Sequence, residues 1–221
     1  MTTQTLTASR LRLPAWLLTL SFLPGIAIPI TGILTFIVML PAGMTMSTFD
    51  LITPQIMSAI RVGWIAIQIE AFVAAACGTI GIALLANQLK KTTETKVRIF
   101  AWVALILALV SLATSAITPL LNISVVGFTE ATLGQTWQYQ NQFSNFMRYA
   151  FLPIGAFSIL ALSASLASSG WLRRTGWTIS VLSALLFLVS LVPSLSAGIP
   201  PFVFLLLLMP LGIGLLRRQE A

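Results

Sequence analysis

The chain has 221 residues, of which 57% are hydrophobic and 8% charged, and its net charge is +7. A soluble domain carries roughly 25% charged residues, so this chain has too few to coat a water-exposed surface, and its mean hydropathy of +0.98 makes lipid the expected solvent. The lack of histidine excludes histidine-ligated haem, most transition-metal sites and the usual general base.

The acidic residues are Asp50, Glu70, Glu94, Glu130 and Glu220, and no pair is close in sequence. No metal or other cofactor is therefore expected. The single cysteine, Cys77, lies in an apolar run and reads as a small packing residue.

Ten of the twelve basic residues fall in four clusters: Arg10/Arg12, Lys90/Lys91/Lys96/Arg98, Arg173/Arg174 and Arg217/Arg218. Each cluster sits at the end of a long apolar run. Lys and Arg are retained on the cytoplasmic side of a bilayer, so the clusters mark one face. This spacing excludes a nucleic-acid surface and makes anionic headgroups the expected partners. The fold class that follows is all-α, a single polytopic membrane helix bundle over 1–221. It has six transmembrane helices and both termini inside.

In chain order, the first span covers about 14–40. It is too long for a signal-peptide core. Pro24, Gly25 and Pro29 predict a kink or local unwinding in it. Thr53-Pro54 reads as an N-cap followed by proline at the first helical position. The second helix then runs from Pro54 to Gln88, with its span at about 62–88. At ~1.5 Å per residue it is roughly 50 Å long, against a hydrocarbon core of ~30 Å, so it must tilt or project.

A short loop over 89–97 leads to the third span, about 98–119, which is expected to end near Pro119. The fourth helix is expected from near Gln135 to Ser168, with its span at about 146–168. Its opening, QTWQYQNQFSN, is polar and aromatic. The fifth span is about 175–193 and the sixth about 200–216, with Pro210 placed to bend it.

GIALLANQLKK at 81–91 and GIGLLRRQE at 212–220 are alike, but basic helix ends in an apolar background produce such likeness by chance. Small residues recur in the second helix (Ala71, Ala74, Ala75, Gly78, Gly81) and the fourth (Gly155, Ala156, Ala161, Ser165), as close helix packing requires. Asn122-Ile123-Ser124 matches a glycosylation acceptor as a chance triplet.

Three charges depart from the basic clusters: Arg61, Glu70 and Arg148. Charges in or near spans need a partner, water or the interface. Glu70 lies 20 residues before Lys90, and Arg148 lies 20 before Ser168. Each is thus ~30 Å from its inner anchor, so a Glu70–Arg148 pair between the second and fourth helices is geometrically allowed.

Such a pair would line an outward-facing polar pocket completed by Arg61, Gln68, Tyr139, Asn141, Gln142, Asn145 and Tyr149. Gln68 and Glu70 are rotated by ~200° on the helix, so the second helix presents polarity on two sides, with Glu70 expected toward the fourth helix and Gln68 and Arg61 toward the outer loops. Gln138, Asn141, Asn145 and Arg148 follow i, i+3, i+7, i+10, a single stripe. The bland alternative is a packing bridge and a solvated helix face.

GWLRRTGW at 170–177 and PLGIGLLRR at 210–218, with the six-span plan, resemble a loose group of small bacterial integral membrane proteins of unknown function. The resemblance implies placement in a bacterial inner membrane and carries no catalytic residue across. The leading expectation is a non-catalytic protein that binds or moves a small molecule or lipid through the pocket between the second and fourth helices. The alternative is an accessory subunit of a larger membrane complex, docked to a membrane protein partner or to copies of itself. A permease subunit driven by a separate ATPase is one form of it. A membrane enzyme using Glu70 and Arg148 is the weakest case.

Overall fold

A computed structural model describes residues 8–39, 54–124, 130–192 and 203–220. Side chains are described at 11–37, 58–124, 142, 143, 146, 150–192 and 203–218. Thr53 and Pro193 lie outside the described residues. The described chain is all helix: α1 (Ala8–Leu20), α2 (Phe22–Met39), α3 (Pro54–Leu89), α4 (Thr95–Ser124), α5 (Glu130–Ser168), α6 (Arg173–Ser190) and α7 (Val203–Glu220). The first two form one interrupted pass, so these residues make six helical passes. Four stretches are long and apolar enough to cross a membrane: Leu11–Ile37, Ser58–Leu89, Thr95–Ser124 and Ala150–Ser168.

The interruption of the first pass falls at Ser21, three residues before Pro24. Proline has no N–H to give the carbonyl of Leu20, and its ring crowds that carbonyl. Restarting the helix at Phe22 puts Pro24 in a first turn, where no intrahelical donor is needed. Ser21 is fully buried, and its Oγ donates to the Leu18 carbonyl at 2.9 Å. Pro29 lies within α2 and does not end it.

Helix α2 packs on α3, α3 on α4, α4 on α5 and α5 on α6, while α7 returns to lie against α1. This antiparallel alternation gathers the basic clusters at one end of the bundle. There Lys90 Nζ sits 4.3 Å from the centre of the Trp102 ring. Arg218 Nη1 donates to the carbonyls of Gly170 and Trp171, pinning α7 to the α5–α6 turn. Gly170 makes that turn with φ of +74°, a left-handed conformation that glycine adopts without strain.

The helices approach closely where side chains are small. On α1, Leu11, Ala15 and Leu18 form a buried stripe at i, i+4, i+7. A Cβ on Gly81 of α3 would lie 2.9 Å from Leu18 Cδ2. A Cβ on Gly212 of α7 would lie 2.7 Å from the Ala15 carbonyl oxygen. The like segments GIALL and GIGLL therefore set a glycine against α1 from two sides.

Hydroxyl groups tie the other helix pairs. Ser158 and Ser165 of α5 donate to the carbonyls of Ala104 and Val97 of α4, at 3.2 and 3.0 Å. Ser163 of α5 and Ser180 of α6 share a hydrogen bond of 2.8 Å. The outer surface is the inverse, with Leu13, Leu23, Ile33, Val62, Leu120 and Leu188 exposed, as a lipid-facing surface requires.

Two boundaries differ from the sequence expectation. Helix α4 passes through Pro119 to Ser124, because the turn beyond the proline is held to α3 by the bonds described below. Pro119 is buried, and a spanning helix tolerates proline where neighbouring groups hold the chain. Helix α5 starts at Glu130, earlier than Gln135.

Gly212→Ala is expected to destabilise the bundle by about 1–3 kcal/mol, since its Cβ would overlap the main chain of α1. Gly32→Ala, with nothing near the added carbon, should be neutral or stabilising by up to about 1 kcal/mol. Thermal denaturation in detergent reads both, and equal shifts would refute the assignment of the α1–α7 contact.

Candidate functional site

Helix α3 carries polar groups on two faces, and the structure sends them to different neighbours. Glu70 meets α2, where Thr31 Oγ1 donates to Glu70 Oε1 at 2.8 Å. Gln68 is 7% exposed and meets α4, where Asn122 Nδ2 donates to Gln68 Oε1 at 3.0 Å. Trp64, one turn away, donates its indole N–H to the Asn122 carbonyl at 2.9 Å. The rotation of ~200° between positions two apart on a helix accounts for this division.

The α2–α3 seam has its own spacing. Gly63 and Glu70 are seven apart on α3, while Thr31 and Thr35 are four apart on α2. A Cβ on Gly63 would collide with Thr35, so glycine there lets the helices close. Thr35 Oγ1 donates to the Thr31 carbonyl at 2.7 Å, leaving the Thr31 hydroxyl as the group that serves Glu70. The second carboxylate oxygen, Glu70 Oε2, is buried and has no hydrogen-bond partner among the described residues. An ionised carboxylate offers about four acceptor positions, so this one has capacity left at the helix seam.

Of the other residues named from sequence, Arg61 is exposed on α3, nine residues from Glu70. Gln142 is exposed on α5. Tyr139, Asn141, Asn145, Arg148 and Tyr149 lie within α5, but their side chains are outside the described residues. The expected contact of Glu70 with Arg148 lies outside them too. By register, Arg148 stands three residues before Phe151 and seven before Gly155, both on the wall of a cavity.

That cavity, of about 30 Å³, lies among α3, α4, α5 and α7. Phe151 and Phe204, in edge-to-face contact with ring centres 5.9 Å apart, form part of its wall. Thr79 of α3, Ser111 of α4 and Ser158 of α5 are among the lining residues, yet the surface the cavity exposes is apolar. Among the described residues no group of His, Cys, Asp and Glu could hold a metal ion.

Thr31, Thr35 and Asn122 were not selected from sequence. The signals were present: two threonines one turn apart in an apolar pass, and an asparagine three residues beyond Pro119. Each needed a known neighbour to gain meaning.

Asn122→Ala is expected to cost about 1–3 kcal/mol, because Gln68 Oε1 would be left buried without a donor. Asn122→Ala combined with Gln68→Leu should recover part of that loss in thermal denaturation. Additive losses would contradict the pairing. No family model matches the chain, and comparison with curated proteins and with solved structures finds none similar to it.

Proposed function

We propose that this chain is a non-catalytic membrane protein that binds or moves a small molecule or lipid, with Glu70 as the group that contacts it. The observation that carries this reading is Glu70 Oε2, an oxygen of an acidic group within a spanning helix that is buried without a partner among the described residues. Charged groups within spans are costly, and they mark ligand and ion pathways more often than packing alone explains. The position of Glu70 at the α2–α3 seam favours a ligand group that donates a hydrogen bond or carries positive charge. Arg61 and, on α5, Arg148 add positive charge toward the same end of the bundle and would serve an anionic part of an amphiphile.

The gathering of the basic clusters at one end supports an orientation with both termini in the cytoplasm of a bacterial cell and the Glu70 half of the bundle outward. Anionic headgroups would pair with that basic end.

Glu70→Gln tests the reading, since the amide keeps an oxygen for Thr31 and removes the charge. The expected result is a small molecule that co-purifies with the wild type in native mass spectrometry and binds roughly ten- to a hundredfold more weakly to the variant. Size-exclusion chromatography establishes that the variant remains folded. Unchanged ligand in a folded variant would remove Glu70 from the site. A stoichiometric second protein with no small ligand would instead favour an accessory subunit and make the Thr31–Glu70 contact a packing bond.

A further inference from the structure

The chain segments that carry Arg173, Arg174, Arg217 and Arg218 meet at one corner of the bundle. Arg218 Nη1 donates to the carbonyls of Gly170 and Trp171, and its guanidinium carbon lies 5.4 Å from the centre of the Trp171 ring. One turn back, a Cβ on Gly214 would lie 3.1 Å from Leu172, so α7 runs directly over the α5–α6 turn. Arg218 is thus committed to the backbone, while Arg173, Arg174 and Arg217 are exposed. The acidic residues whose side chains are described, Glu70 and Glu94, belong to α3 and to the turn before α4; the side chain of Glu220 lies outside the described residues. Retention on one side of a membrane requires only that arginines stand in turns and termini. It does not require that two helices bring four guanidinium groups together, where like charges repel.

The surface below this corner has a matching pattern. Gly176, Ile179, Ser180 and Ser183 turn one face of α6 into the protein. The opposite face starts at Arg174 and continues through Trp177, Val181, Leu185 and Leu188, all exposed. These positions follow i, i+3, i+7, i+11, i+14, a single stripe. Between positions 177 and 188 it is ~16 Å long at ~1.5 Å per residue, about the depth of one leaflet of a ~30 Å hydrocarbon core. A cationic head, an indole at the interface and an aliphatic run of that length match the profile of one phospholipid.

We infer that this corner binds one anionic phospholipid, whose phosphate sits among Arg173, Arg174 and Arg217 and whose acyl chains lie along the stripe from 177 to 188. Arginine presents a planar fork that pairs two phosphate oxygens at once. A zwitterionic headgroup would bring its own ammonium charge into the cluster and is disfavoured. The inference rests on the reading that the basic end of the bundle meets anionic headgroups, and adds that one corner of that end holds a lipid in a defined place.

The test is native mass spectrometry of the full chain in nonionic detergent, titrated with dioleoyl phosphatidylglycerol or dioleoyl phosphatidylcholine. The expected result is one phosphatidylglycerol held at least about tenfold more tightly than phosphatidylcholine. Each basic side chain near a lipid surface contributes roughly fivefold, so Arg173→Gln combined with Arg174→Gln should weaken phosphatidylglycerol about ten- to thirtyfold. Lys91→Gln combined with Lys96→Gln removes the same charge from the α3–α4 turn and should leave the first lipid within about twofold. All four side chains are exposed, so both double variants keep the fold. Arg217→Gln, expected to bind about fivefold more weakly, gives an independent reading. Equal weakening in the two double variants would overturn the corner site while leaving the general pairing of the basic end with anionic headgroups in place. No preference for phosphatidylglycerol in the wild type would remove both. Displacement of the lipid by an equal concentration of inorganic phosphate would overturn the lipid assignment, because a free anion gains nothing from the stripe.

Discussion

The rest of the bundle depends on the distance of closest approach of α1 to its two neighbours. In lipid, apolar surface gains little by leaving the solvent, so helices associate through close van der Waals contact and through hydrogen bonds satisfied within the protein. Glycine at 81 and 212 lets α3 and α7 come within backbone distance of α1. That contact sets the position of α3, and α3 in turn supports α2 and α4 along its length. A larger residue at either glycine would move α1 outward and would loosen the contact between the first pass and the last.

The second level of organisation is the disposal of hydroxyl protons. Most buried Ser and Thr residues donate to a carbonyl one turn back or on the next helix. Each such bond satisfies the hydroxyl and leaves the group as an acceptor only. This regularity makes the exceptions informative. Among the described residues, the Thr92, Ser111 and Ser183 hydroxyls and the Glu70 Oε2 oxygen are buried without a hydrogen-bond partner. Of these, Glu70 alone is an acidic group, and it lies at the seam of α2 and α3.

Much of the architecture was legible in the sequence because lipid imposes a coarse rule. Long apolar runs between basic clusters gave the all-helical class and the six passes. They also gave a second helix starting at Pro54 and ending within one residue of Leu89. The misread boundaries have local causes. Pro119 looked like a terminus because a proline removes a donor, yet Trp64 and Asn122 hold the turn beyond it. The interruption near Pro24 was anticipated, but its place at Ser21 follows from where the proline's missing bond falls. The site was less legible. Helical periodicity showed that Gln68 and Glu70 point to opposite sides of one helix. It pointed Glu70 to the fourth helix and Gln68 to the outer loops, whereas Glu70 Oε1 meets Thr31 of α2 and Gln68 meets Asn122 of α4, because the neighbour on each side depends on the order in which the helices pack.

The pairing of α1 with α7 bears on how the bundle is assembled. These helices lie at opposite ends of the sequence, so the chain between them must be made before they meet. While the middle helices are being inserted, the α7-facing side of α1, including Ala15 and Thr19, has only lipid or the insertion machinery against it. Arg218, near the end of α7, then closes on the α5–α6 turn. Final closure of the ring is therefore a late event, and a bundle arrested before it would expose the first pass to inappropriate partners in the membrane.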